Sequence, residues 1–120
     1  MLKASERVLI VEDEVFVALD LVDIVEAAGY LVDGPYGTLD QTLKALERNL
    51  PKCAILDVKL IDGEIYPAAD VLADHQVPVI FHSGHADSAD LSARYPRAQT
   101  CAKPSTQQEI NEALGRAAPL

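Results

Sequence analysis

The sequence predicts an α/β domain built as a doubly wound five-stranded parallel sheet with helices on both faces. Three observations carry this. Short β-branched runs alternate along the chain with longer amphipathic segments. Several of the short runs are apolar almost throughout, as a strand must be when both its faces are covered. Strand-helix alternation in turn favours parallel pairing, because right-handed crossovers lay the helices over the sheet.

The elements follow in order. Arg7-Val8-Leu9-Ile10-Val11 is the first strand, ended abruptly by Glu12-Asp13-Glu14. Over residues 15–28, Val17, Leu21, Ile24 and Ala28 recur at helical spacing, flanked by Ala18, Val22 and Val25. Gly29 sits where a helix C-terminal glycine belongs. Tyr30-Leu31-Val32-Asp33 reads as a weaker strand nearer the sheet edge, followed by the turn-rich Gly34-Pro35-Tyr36-Gly37. Thr38 with Gln41 fits a capping box, and Leu39, Leu43, Leu46 and Leu50 mark the second helix, which Pro51 helps to stop. Cys53-Ala54-Ile55-Leu56-Asp57 is the third strand, buried except for its terminal carboxylate. Asp62-Gly63 marks a turn, and residues 65–73 form a helix with Pro67 in its first turn.

Val77-Pro78-Val79-Ile80-Phe81 is the fourth strand. Residues 84–95 are the poorest in apolar side chains, so a fourth helix there is the least defined element. Residues 98–102 make a short fifth strand. Ser105 with Gln108 offers a second capping box, and Ile110, Ala113, Leu114 and Ala117 supply the inner stripe of a last helix. No repeat, linker or low-complexity tract interrupts the pattern.

Composition narrows the function classes. The chain has 120 residues, enough for one domain, with 10 Lys plus Arg against 19 Asp plus Glu and a formal net charge of -9. That balance argues against direct nucleic-acid binding, which needs cations to displace phosphate counterions. No apolar run reaches the roughly 20 residues that span a bilayer. Residues 1–7 carry no apolar signal-peptide core. The two cysteines, Cys53 and Cys101, are expected to be buried thiols in a reducing cytoplasm rather than a disulfide. A single domain over residues 1–120, without an output domain, is the expected organisation.

In an open parallel sheet, ligands bind outside the C-terminal strand ends. The first strand ends in Glu12-Asp13, the third in Asp57, the fourth at Ser83 and the fifth at Lys103. Three carboxylates, a hydroxyl and an ammonium are thus drawn to one edge. Close carboxylates repel and raise one another's pKa, and Mg²⁺, a hard cation with oxygen ligands, would relieve this. One carboxylate could then attack a phosphoryl group whose charge the metal and ammonium balance. Read singly, each residue has an ordinary explanation: Glu12-Asp13-Glu14 as a solvated helix start, Asp57 as a cap, Ser83 as a turn residue, Lys103 as an ion-pair partner. The combination is what argues otherwise.

Val8-Leu9-Ile10-Val11-Glu12-Asp13-Glu14, Ile55-Leu56-Asp57-Val58, Ser83-Gly84 and Lys103-Pro104 run in the order found in receiver domains of bacterial two-component response regulators, which the chain resembles over nearly its whole length. Pro78-Val79-Ile80-Phe81-His82-Ser83-Gly84-His85 is similar to the motif of the stand-alone "FAT GUY" receivers, with His82 and Ser83 in place of Ala and Thr. The resemblance implies a flavodoxin-like strand order 2-1-3-4-5. It implies Asp57 as phosphoacceptor. Glu12, Asp13 and Asp57 would hold Mg²⁺ together with the backbone carbonyl of Lys59. Ser83 would contact the phosphoryl group, and Lys103 would pair with it or, before transfer, with Asp57. The Lys103-Pro104 bond is often cis in such domains.

The function so implied is a single-domain regulator phosphorylated by a histidine kinase or histidine phosphotransfer protein. It would signal through a downstream protein target, with homodimerisation open, or serve as a phosphate sink or relay. It would not be an enzyme on external substrates: related phosphatases need a second acid two residues after the nucleophile, and here that position is Lys59. A flavin-binding version of the fold is disfavoured by the acids after the first strand. One departure stands out. The aromatic that most receivers carry three residues before the lysine is Thr100 here. That supports the alternative of a receiver-fold binding module working without phosphorylation. His82 and His85 tempt a metal reading, but two histidines without a third ligand are weak, and structural or surface roles are expected. His75 is expected in a polar loop without a role.

Overall fold

The computed structural model describes residues 6–84 and 88–119. The readings placed on residues 1–5 and on His85 fall outside them. The elements are β1 (Arg7–Val11), α1 (Val15–Ala27), β2 (Leu31–Tyr36), α2 (Leu39–Arg48), β3 (Cys53–Leu56), β4 (Lys59–Leu60), β5 (Gly63–Glu64), α3 (Tyr66–Asp74), β6 (Val79–Ser83), α4 (Ser88–Arg94), β7 (Gln99–Ala102) and α5 (Gln107–Ala117). The main sheet has the order β2-β1-β3-β6-β7, and all its pairs are parallel. Because the small hairpin β4-β5 takes two numbers, this is the expected 2-1-3-4-5 arrangement. The predicted doubly wound, flavodoxin-like fold is therefore the observed one. Among the described residues no helix is long and apolar enough to cross a membrane.

Alternation along the strands sorts the core into two layers. Leu9, Val11, Ala54, Leu56, Val79 and Phe81 face α2, α3 and α4 through Leu46, Leu72 and Leu91. Val8, Ile10, Cys53, Ile55, Ile80 and Cys101 face α1 and α5 through Leu21, Val25, Ile110 and Leu114. The three central strands are buried along nearly their whole length, which explains their unbroken apolarity. Cys53 and Cys101 are free, buried and separated by β6, as expected. Burial pushes the Cys53 thiol up to about 12, so it is chemically quiet.

The structure moves several boundaries, each for a physical reason. β2 does not stop at Asp33 but continues through Gly34-Pro35 to Tyr36, with an irregularity in its pairing to β1. An edge strand tolerates a proline because one side of its backbone needs no ladder partner. The fourth sheet strand begins at Val79 rather than Val77, after Pro78, which lacks an N–H to pair. Leu50 lies beyond α2 and is exposed rather than on its inner stripe. The capping box of α5 belongs to Thr106 and Glu109, not to Ser105 and Gln108. The Ser105 hydroxyl is engaged elsewhere, against His82. At α2, Thr38 caps the Gln41 N–H as expected, but the Gln41 side chain reaches Gly37. Asp62, from the β4-β5 hairpin, accepts hydrogen bonds from the Leu39 and Asp40 N–H groups at 2.7 and 3.1 Å. The fourth helix, least defined in the sequence, runs over Ser88–Arg94 and buries Leu91.

Both Gly34-Pro35 and Lys103-Pro104 are cis. Gly34 has φ +112°, and a Cβ placed there would lie 2.7 Å from the Ile10 carbonyl oxygen. Gly34→Ala is therefore expected to lower the unfolding free energy by about 2 kcal/mol or more, read as a drop in urea midpoint. An unchanged midpoint would mean the β2 edge yields freely.

Candidate functional site

The strand ends assemble the site. Glu12 and Asp13 follow β1, and the Glu12 N–H donates to the Tyr36 carbonyl at 2.9 Å, which pins the turn to β2. Asp57 follows β3, with its N–H donating to the Val11 carbonyl at 2.9 Å. The Lys103 N–H, just past β7, donates to the Ser83 carbonyl at 2.8 Å. Glu12, Asp57 and Ser83 are buried, and Asp13 is exposed. Glu12, Asp57 and Lys103 continue the row of Ile10, Ile55 and Cys101, so strand alternation points them to one side.

The Lys103 ammonium joins the two buried acids, with Nζ 2.8 Å from Glu12 Oε1 and 3.4 Å from Asp57 Oδ2. Glu12, Asp13 and Asp57 each offer a carboxylate oxygen, and these lie within 4.8 Å of one another. At an effective dielectric near 20, each such pair repels by about 3 kcal/mol. The cluster thus needs positive charge, and the all-oxygen donor set fits a hard divalent cation. Lys59 opens β4 two residues beyond Asp57, with its side chain exposed. Ser83 ends β6 on the row of Phe81, one strand from Asp57, so it reaches the same edge from the other face.

Burial, and then the nearby Glu12 carboxylate, raise the Asp57 pKa to about 7 against the opposing pull of Lys103. Burial works to lower the Lys103 pKa, but its contacts with Glu12 and Asp57 outweigh this and raise it. The ammonium is therefore held charged beside the acids.

His82 was expected to be structural, facing away from Ser83. It does lie on the opposite face and is buried, but its ring also closes the back of the cluster. Nε2 is 2.7 Å from Ser105 Oγ, and Nδ1 is 3.9 Å from Glu12 Oε1. Burial and then the Lys103 charge lower its pKa. The signal for this contact was available: His82 shares the row of Ile80, as Glu12 shares that of Ile10. Behind it a cavity of about 750 Å³ opens between α1 and α5, lined among others by Asp20, Ile24, His82, Lys103 and Ser105. Thr100 is exposed opposite Phe81 on β7. The aromatic on Phe81 is instead Tyr95, just after α4, with ring centroids 5.3 Å apart. Its hydroxyl donates to Asp70 at 2.6 Å.

Since the folded-state pKa of Asp57 is raised, its proton favours the folded chain below the ordinary carboxylate range. That contribution disappears as pH rises through about 7. Asp57→Asn is expected to stabilise the metal-free protein at pH 8 by on the order of 1–2 kcal/mol and hardly at all near pH 4. Urea midpoints with a chelator present test this, and equal midpoints at pH 8 contradict it.

No protein-family model matches the chain. The chain is 31% identical over 116 residues to the phyllosphere-induced regulator PhyR of Methylorubrum extorquens, an alignment covering 94% of this chain and 43% of that protein. It therefore spans less than half the length of that curated relative. Among solved structures, SdrG from Sphingomonas melonis Fr1 matches with a TM-score of 0.80 and 30% identity, covering 95% of this chain and 97% of SdrG. The response regulator REC domain of Erythrobacter litoralis PhyR matches with a TM-score of 0.82 and 26% identity, covering 94% and 89% of the two chains. Fold, strand-end acids and these likenesses agree, and the chain belongs to the receiver-domain family of two-component response regulators.

Proposed function

We propose that this receiver domain takes a phosphoryl group onto Asp57 from a histidine kinase or histidine phosphotransfer protein in the cytoplasm. The result is passed to a downstream protein, or the domain acts as a phosphate sink or relay. The observation that carries this is the buried Glu12-Lys103-Asp57 ion network, joined to an acidic cluster that is open to solvent at Asp13. Glu12, Asp13, Asp57 and the backbone carbonyl of Lys59 would hold Mg²⁺. When bound, the cation neutralises the carboxylates and the transferring oxygens.

The chemistry left to the chain is simple. An Asp57 carboxylate oxygen forms the new O–P bond as the donor's N–P bond breaks, and that electron pair stays on the donor imidazole. Lys103 lies within reach of both acids, so it can leave Glu12 and pair with a phosphoryl oxygen. Ser83 supplies a hydroxyl to another. The modification brings roughly two negative charges to the edge of the sheet, enough to bias a two-state surface. The reading includes no turnover of an external substrate, because Lys59 stands where a general acid would be needed.

Thr100 supports a second reading, a binding module that works without phosphorylation. The two separate cleanly. Treatment with a small-molecule phosphodonor and Mg²⁺ is expected to raise the intact mass of the parent by one phosphoryl group. Asp57→Asn should show no gain, and chelation should suppress it in the parent. An unchanged parent mass, with partner binding intact in Asp57→Asn, would instead establish the second reading.

A further inference from the structure

His82 has no part in the chemistry above, yet its buried ring faces the acid that Lys103 holds. Its side chain is 5% exposed, and Nδ1 has no hydrogen-bond partner. Nδ1 faces Glu12 Oε1 at 3.9 Å, and that oxygen also receives the Lys103 ammonium at 2.8 Å. On the other side of the ring, Nε2 meets Ser105 Oγ at 2.7 Å.

The contact with Ser105 suits either ring tautomer, so the Glu12 carboxylate facing Nδ1 decides which nitrogen carries the proton. If Nε2–H donated to Ser105, the Nδ1 lone pair would point at a carboxylate, which is repulsive. A serine hydroxyl rotates freely and donates equally well. With Ser105 O–H donating to Nε2, the ring proton sits on Nδ1 and is aimed at Glu12. A protonated ring would present the same Nδ1–H.

That proton has a use. If Lys103 moves to a phosphoryl oxygen while a cation is held through the other Glu12 oxygen, Oε1 loses its closest partner while remaining buried, a costly state for a carboxylate oxygen. An approach of about an ångström would bring Nδ1–H into hydrogen-bond range of it. We propose that His82 is a positioning residue for phosphoryl transfer, whose Nδ1–H takes over Glu12 Oε1 as Lys103 leaves it for the phosphoryl group. The inference rests on Asp57 being the phosphoacceptor, and it gives a task to a histidine that stands where related motifs have alanine.

Two measurements test it. Nitrogen-15 NMR of the ring in the parent protein is expected to show His82 protonated at Nδ1 and bare at Nε2; the reverse tautomer overturns the inference, whatever the variants do. Among variants, His82→Asn places an amide N–H near Nδ1, whereas His82→Gln places one near Nε2. With saturating Mg²⁺ and a small-molecule phosphodonor, His82→Ala and His82→Gln are expected to slow phosphorylation by about tenfold, and His82→Asn to stay within about threefold of the parent. Ser105→Ala removes the Nε2 partner but leaves Glu12 facing Nδ1, so the ring is expected to keep its proton on Nδ1. Equal slowing in all three His82 variants of matched thermal stability overturns the positioning role. A parent that takes up no phosphoryl group overturns the Asp57 reading and the transfer role with it, whereas a wrong tautomer removes only the role of His82.

Discussion

The site depends on one ammonium placed between two buried acids. Lys103 reaches Glu12 at 2.8 Å and Asp57 at 3.4 Å, and without it the two carboxylates would be buried side by side. Removing the lysine alone is costly, because it leaves two buried carboxylates without their shared cation, whereas removing the Asp57 charge leaves Lys103 paired with Glu12. The network is also well suited to exchange. On the proposed reading, a cation would take the acids and free the lysine, and a phosphoryl group would take the lysine and leave the acids to other partners.

The parallel sheet makes this network possible. Its central strands are buried on both faces, so the buried polar side chains gather at or just past their C-terminal ends. Alternation then sorts those ends by side. Glu12, Asp57, His82 and Lys103 follow the row packed on α1 and α5, while Ser83 follows the row packed on α2, α3 and α4. A group bound at Asp57 therefore sits where both layers of the core come to the edge. On the second layer, Phe81 and Tyr95 connect that edge to Asp70 of α3, in a family whose usual strand aromatic is replaced here by Thr100.

Long-range contacts hold the loops that carry these groups. Asp62 reaches across 23 positions to the first N–H groups of α2, which ties the β4-β5 hairpin beside Asp57 to another helix. The same two hydrogen bonds lower the Asp62 pKa. The Ser105 hydroxyl is engaged with the His82 ring, and the cap of α5 passes to Thr106. Both contacts join groups more than twenty positions apart, and both lie in loops at the C-terminal edge.

Legibility in the sequence divides along the same line. Periodicity alone placed the five sheet strands and the main helices, because the spacing of Leu21 and Val25 or of Ile110 and Leu114 is set by local geometry and burial. The identity of the strand-end residues also placed Glu12, Asp13, Asp57, Ser83 and Lys103 at one edge, since every parallel strand delivers its C-terminus there. The tertiary structure decided what no spacing encodes: that Lys103 bridges two acids, that His82 stands behind Glu12, that Pro35 lies within an edge strand, and that Asp62 caps a helix it does not adjoin. Local propensity acts over a few residues, whereas these partners are chosen by which strands and loops the folded sheet brings side by side.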